Sequence, residues 1–248
     1  MRLTRRLVAG VAPLLVLGCE AAMTMPGQAQ AKQGKEAAMG HVVLLGDSIF
    51  DNGAYVGRGP DVITQLRGAL GEGWRASLLA MDGHVTEDVL RHQIGRTAAD
   101  ATHLVVSAGG NDALGSASIL GQPAKSVAEA VSRLAEAQER FRTSYLRMVQ
   151  AVVARKAPTA LCTIYDANYP EPQRRLVVAG LALFNDVITR AAFSHGLSLI
   201  DLRLICSEPA DYANPIEPSS RGGEKIARAI AGFVQSPRLQ PARSEVWT

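Results

Sequence analysis

The chain has 248 residues, 47% of them hydrophobic and 5% aromatic, which is enough for one globular core and too little for two well-separated domains. Its formal charge of +3 is carried by the first 40 residues, where five basic and two acidic side chains lie; the remaining 21 basic and 21 acidic residues cancel. A neutral folded part without a lysine- or arginine-rich stripe offers no electrostatic case for nucleic acid or for an anionic membrane surface.

Residues 1–40 have the order of a secretory leader and linker: Arg2, Arg5 and Arg6 precede the apolar run Leu7–Leu17, and small and polar residues follow. That run is shorter than the roughly 20 residues a membrane-spanning helix needs. Val16-Leu17-Gly18-Cys19 resembles a bacterial lipobox, with a lipid anchor at Cys19, whereas Ala29-Gln30-Ala31 offers an ordinary small-x-small cleavage site. Arg5-Arg6 hints at twin-arginine export. The expected location is therefore outside the cytoplasm, periplasmic or lipid-anchored. Met39, two residues before the first strand, offers a second start that would leave the protein cytoplasmic.

The folded domain is expected over residues 41–235. Its first apolar run, 41–45, delivers Gly46-Asp47-Ser48-Ile49 to a strand end, where α/β enzymes place nucleophiles. Asp47 reads as a turn stabiliser, and Asp51-Asn52 either line a pocket or close an Asx turn. Helix 61–70 follows, then strand 76–80, which leads to Gly83-His84, and helix 86–93. Strand 103–108 ends in Gly109-Gly110-Asn111-Asp112, a second polar turn on the same rim, with Asp112 suited to capping the next segment.

Ser126-Val127-Ala128-Glu129 is a capping box that opens a helix to about Arg155, with Val127, Val131, Leu134, Phe141, Tyr145, Met148 and Val152 on the face expected to meet the sheet. Strand 160–165 continues into Asn168-Tyr169, either substrate contacts or loop packing; helix 173–194 and strand 197–201 come next. The runs are rich in Val, Leu and Ile and do not alternate, so each strand is covered on both faces. The expected fold is α/β, a three-layer flavodoxin-like sandwich with a five-stranded parallel sheet. The tail, 236–248, lacks apolar periodicity and is expected to be mobile. Cys162 and Cys206 read as buried free thiols that an oxidising compartment could pair. No Cys/His spacing matches a metal site, and nothing calls for a cofactor.

Gly46-Asp47-Ser48-Ile49-Phe50-Asp51-Asn52, Gly83 and Gly109-Gly110-Asn111-Asp112 together resemble the first three blocks of the SGNH, or GDSL-type, hydrolases, with Ile49 where leucine is usual. The resemblance runs from about His41 to Ala231. It implies the flavodoxin-like fold and an ester hydrolase in which Ser48 attacks the carbonyl. It also implies that the Ser48 amide, the Gly83 amide and the Asn111 side chain hold the oxyanion. The expected partner is a small-molecule, lipid or sugar ester.

The last block departs from the family's Asp-x-x-His-Pro. Here Asn214-Pro215-Ile216-Glu217-Pro218 puts asparagine at the aspartate position and glutamate at the position of the histidine base, before the closing helix around Gly222-Gly223-Glu224-Lys225-Ile226-Ala227. A serine hydroxyl is a poor nucleophile without a base. An unperturbed glutamate, with a pKa of roughly 4.3 against roughly 6.5 for histidine, needs burial to serve near neutrality. Asn214 is then expected to hydrogen-bond the carboxylate, where an aspartate would repel it.

The five histidines offer one competitor. His41, His103 and His195 precede strands and so fall at the sheet edge opposite the serine, and His92 lies within helix 86–93. Only His84 stands on the rim, either as an exposed turn residue or as a relocated base second to Glu217. A different class of function also fits these residues: a hydrolase scaffold that has lost turnover and binds an acyl or carboxylate ligand.

Overall fold

The computed structural model, which describes residues 40–236 and 246–247, pairs all five expected strands in one parallel sheet, but the edge strand at 74–78, where Arg75 is exposed, is not covered on both faces as the others are. Strand β1, Gly40–Gly46, is followed by helix α1, Val62–Leu70, and strand β2, Trp74–Leu78. The next helical stretch starts as one α turn, α2 (Thr86–Asp88), and continues through a π turn, Val89–Gln93, and a 3-10 turn, Ile94–Arg96. Strand β3, His103–Ser107, leads into α3, Gly110–Ser116, and a 3-10 turn, Ala117–Gly121. The long helix α4, Val127–Val153, precedes β4, Thr159–Cys162; α5, Gln173–Ser194, precedes β5, Ser198–Ile200. A short α6, Leu202–Ile205, and the closing α7, Ser220–Gln235, complete the domain.

The sheet order is β2-β1-β3-β4-β5, the flavodoxin-like order expected, extended by β6, Val246–Trp247, which pairs parallel with β5. Two residues of the tail thus pair with the sheet. Trp247 sets its ring edge-on to Phe233 of α7, 6.2 Å away, and joins the core there. Two residues are too short for any periodicity to announce them, whereas an indole over apolar surface contributes much burial. The expected secretory leader with Cys19 and Ala29-Gln30-Ala31, and the alternative start Met39, lie outside the described residues.

Successive residues of a strand face opposite ways. Val42, Leu44, Val105 and Ile200 pack against α1, α6 and α7, while Val43, Leu45, Leu104, Val106 and Leu161 pack against α4 and α5. Cys162 and Cys206 are buried and free. Ser126 caps α4 through Oγ, which accepts from the Glu129 amide at 3.1 Å; the Glu129 carboxylate reaches the Lys125 amide, so the box is shifted by one residue. Of the face expected to meet the sheet, Phe141, Tyr145, Met148 and Val152 are buried, but Val127 is 81% exposed and Val131 55%. A 27-residue helix outruns a sheet whose strands have seven residues or fewer, so its first turns extend past the core.

β1 ends where it approaches β3 most closely. Gly46 has φ +138°, and a β-carbon there would stand 1.8 Å from the Ser107 carbonyl oxygen. Only glycine fits both constraints. Gly46→Ala should therefore lose at least about 3 kcal/mol of unfolding free energy in urea titration, with strain and overpacking adding.

Candidate active site

The turn after Gly46 is tied by its own aspartate. The Asp47 carbonyl accepts from the Phe50 and Asp51 amides at 3.2 and 3.1 Å, and its Oδ1 accepts from the Ile49 amide at 3.1 Å. Asp47 is therefore the turn stabiliser expected. Gln93 holds the strand end from behind: its Oε1 accepts from the Gly46 amide and its Nε2 donates to the Gly46 carbonyl, both at 2.8 Å. Its role is invisible in sequence, where Gln93 is one polar residue in a helical stretch that also carries Glu87, Asp88, Arg91 and His92.

Ser48, 6% exposed, donates from Oγ to Oε1 of Glu217 at 3.0 Å. Glu217 is itself 5% exposed and comes from a loop fixed on several sides. Tyr212 and Pro218 form an antiparallel bridge, and the Ala213 amide donates to the Glu217 carbonyl at 2.9 Å. Tyr165 donates from its hydroxyl to the Ile216 carbonyl at 2.6 Å, the Asn168 amide to the Pro215 carbonyl at 2.8 Å, and Asn52 Nδ2 to the Pro218 carbonyl at 3.2 Å. At the base of the loop, buried Asp211 accepts from Lys225 Nζ at 2.8 Å. The Glu217 carboxylate is held by its backbone.

Burial pushes the Glu217 carboxyl up to about 7, partly opposed by the Ser48 hydrogen bond. Its second oxygen, Oε2, has no partner among the described residues. Asp47 is pushed higher, to about 8, chiefly by burial, with the nearby Glu217 charge adding. Asp47 thus holds its proton to higher pH than Glu217, so Glu217 is the first of the two to ionise beside Ser48.

Across the rim, Gly83 has φ +80°, and Asn111 Nδ2 donates to the His84 carbonyl at 3.0 Å, joining the two turns. An amide nitrogen has two N–H groups, so one remains. Among the described residues the backbone amides of Ser48 and Gly83 have no hydrogen-bond partner. Asp112 does not cap its own helix: its Oδ2 accepts from the Thr86 amide and hydroxyl at 3.0 and 2.9 Å, capping α2 across the rim.

Residues 44–224 match the model of the GDSL-like Lipase/Acylhydrolase family. The chain belongs to that family. This membership supports an ester hydrolase in general. No curated protein matches the sequence. Solved structures of the same fold include an extracellular lipase from Streptomyces rimosus, 19% identical, covering 76% of this chain and 97% of that one with a TM-score of 0.59. A phospholipase A1 from Streptomyces albidoflavus NA297 is also 19% identical, covering 79% and 99% with a TM-score of 0.58. A lipase/acylhydrolase from Enterococcus faecalis is 20% identical, covering 82% and 100% with a TM-score of 0.54.

The remaining candidates of this family member divide. Tyr169 lines the cavity beside Ser48, whereas Asn168 serves the Glu217 loop. Asn52 is fully buried, its Oδ1 accepting from the Val62 amide at 3.0 Å, so it ties the nucleophile turn to α1 and to the Glu217 loop and does not line the cavity beside Ser48. Asp51 accepts from the Asp82 amide at 2.9 Å and supports the Gly83 turn. Asn214 departs from expectation: its Oδ1 accepts from the Ile216 and Glu217 amides at 2.9 Å each, an Asx turn that sets the glutamate's backbone and leaves its carboxylate alone. The His84 ring is turned to Gln93, 2.9 Å from Nδ1, and it is Glu217 that reaches Ser48. His41 binds Asp100 and Ser77, and His195 binds the Ala191 carbonyl, at the far edge as expected.

An acid whose pKa is higher folded than unfolded binds more protons when folded, so it costs stability as pH rises between the two values. For Glu217 that window runs from about 4.5 to about 7. Glu217→Gln, which keeps the shape and removes the charge, should melt several degrees above wild type at about pH 8 and close to it at about pH 4.5 in paired thermal scans, since each kcal/mol is worth roughly 2–4 °C at this size.

Proposed function

We propose that the protein is a serine ester hydrolase working by acyl transfer, with Ser48 as nucleophile and Glu217 as its base. The observation that carries the reading is the buried Ser48–Glu217 hydrogen bond of 3.0 Å. Glu217 takes the hydroxyl proton as Ser48 Oγ bonds to the ester carbonyl carbon. The resulting oxyanion is held by the Ser48 and Gly83 amides and the free N–H of Asn111. The intermediate collapses, the C–O bond to the alcohol breaks, and Glu217 returns the proton to the departing oxygen. Water then attacks the acyl-serine with Glu217 again as base, releasing the acid and restoring Ser48. The net change is ester plus water to acid plus alcohol.

The base works when ionised, so kcat/KM should rise with pH through about 7. On a short-chain aryl ester, Ser48→Ala should abolish turnover. Glu217→Gln should lower kcat by about 10²–10⁴ and remove that acid limb. Binding of the ester with no hydrolysis at any pH would instead make the protein a ligand-binding member of its family.

Loss of one oxyanion donor costs about 10²–10³ in kcat. Asn111→Ala should therefore fall by that factor with KM little changed, read from steady-state kinetics. An unchanged kcat would remove Asn111 from the site.

A further inference from the structure

Beside Ser48 lies a cavity of about 390 Å³ with walls that are mostly hydrocarbon. Leu114 and Ile119 contribute from α3 and the turn after it, Leu134 from α4, and Val177, Leu181 and Phe184 from α5. Asp47, Ser48, Asn111 and Glu217 give it a polar end, and among the described residues lining it there is no lysine or arginine. A sugar would leave hydroxyls unpaired against such walls, and an anionic headgroup would find no countercharge. An alkyl chain gains by burial there.

The side of the ester that enters follows from the chemistry. The acyl group stays through the covalent stage and needs a holding surface, whereas the alcohol must leave. The lining includes Asn111 and Leu114 of α3 together with Ser48, so the apolar wall adjoins the groups proposed to hold the carbonyl. At about 30 Å³ per water-sized group, 390 Å³ accommodates on the order of a dozen carbon atoms.

One lining residue keeps the space open. Gly180 lies within α5, where glycine is a poor helix former, yet a β-carbon there would meet no other atom within 4 Å. We propose that the cavity is an acyl-chain pocket for medium-chain esters and that Gly180 sets the length it accepts. This rests on the acyl-transfer reading above.

The test is kcat/KM for p-nitrophenyl acetate, butyrate, octanoate and palmitate with wild type and Gly180→Leu, beside a series of alkyl acetates lengthened on the alcohol side. Wild type should gain about fourfold per added methylene from acetate to octanoate, with little further gain at palmitate. The octanoate-to-acetate ratio should fall at least tenfold in Gly180→Leu, about two methylenes' worth of burial. Octanoic acid displacing a fluorescent apolar dye from Ser48→Ala reads the pocket without any chemistry. A flat or falling acyl series in an active enzyme, a gain on the alcohol side in its place, or an unchanged ratio in a folded Gly180→Leu would overturn the pocket. Should Gly180→Leu not fold, the wild-type series and the dye displacement decide. Displacement by octanoic acid with no hydrolysis of any ester would keep the pocket and overturn the acyl-transfer reading.

Discussion

A carboxylate taken out of water must find hydrogen bonds or hold its proton, and Glu217 does some of each. One oxygen accepts from Ser48, the other has no partner among the described residues, and the carboxyl is pushed up to about 7. Much of the surrounding structure serves to hold this costly group where it is. Asn52, Tyr165 and Asn168 donate to three carbonyls of its loop, those of Pro218, Ile216 and Pro215. Gly222, where a β-carbon would stand 2.1 Å from the Asp211 carbonyl oxygen, lets α7 begin close beneath it. On the proposed reading, the pattern is that of a site that gives up stability for reactivity.

A glutamate base differs electrically from a histidine. A neutral imidazole becomes a cation as it takes the serine's proton and so ends beside the oxyanion as its countercharge. As the base proposed above, Glu217 would start as the anion and end neutral, so negative charge would move from a poorly solvated carboxylate toward the proposed oxyanion donors without any new charge appearing. On this reading desolvation of the ground state and stabilisation of the transition state act in the same direction. A second carboxylate ionised nearby would spoil the arrangement. Asp47, pushed to about 8, holds its proton at neutral pH. At position 214 the amide fixes the backbone without adding charge.

What the sequence made legible was what local chemistry dictates. Glycine and polar residues directly behind apolar runs marked the strand ends, and thereby Ser48 and Asn111. Glu217 is marked only by the resemblance of Asn214–Pro218 to the family's last block. Less legible were roles made by tertiary hydrogen bonds. Nothing local tells that Asp112 would cap a helix across the rim, or that Gln93 would hold Gly46 by both backbone groups. Periodicity also marks which helix face is apolar but not what that face meets, so Val127 and Val131 were read as core although they lie past the end of the sheet.

The same limit explains helix α5. Over Gln173–Ser194 its hydropathy of 1.6 would suit a membrane span by length and composition, yet only 39% of that stretch is buried. A helix that packs on a sheet with one face and meets solvent with the other carries fewer apolar residues. Here Val187, Ile188, Ala191 and Ala192 pack in the core, while Val177, Leu181 and Phe184 line the cavity. Leu176, 56% exposed, belongs to both the cavity lining and the surface. Two apolar surfaces on one helix, one filled by protein and one open, account for its composition without a bilayer. The open one begins at the only serine that a buried carboxylate reaches among the described residues.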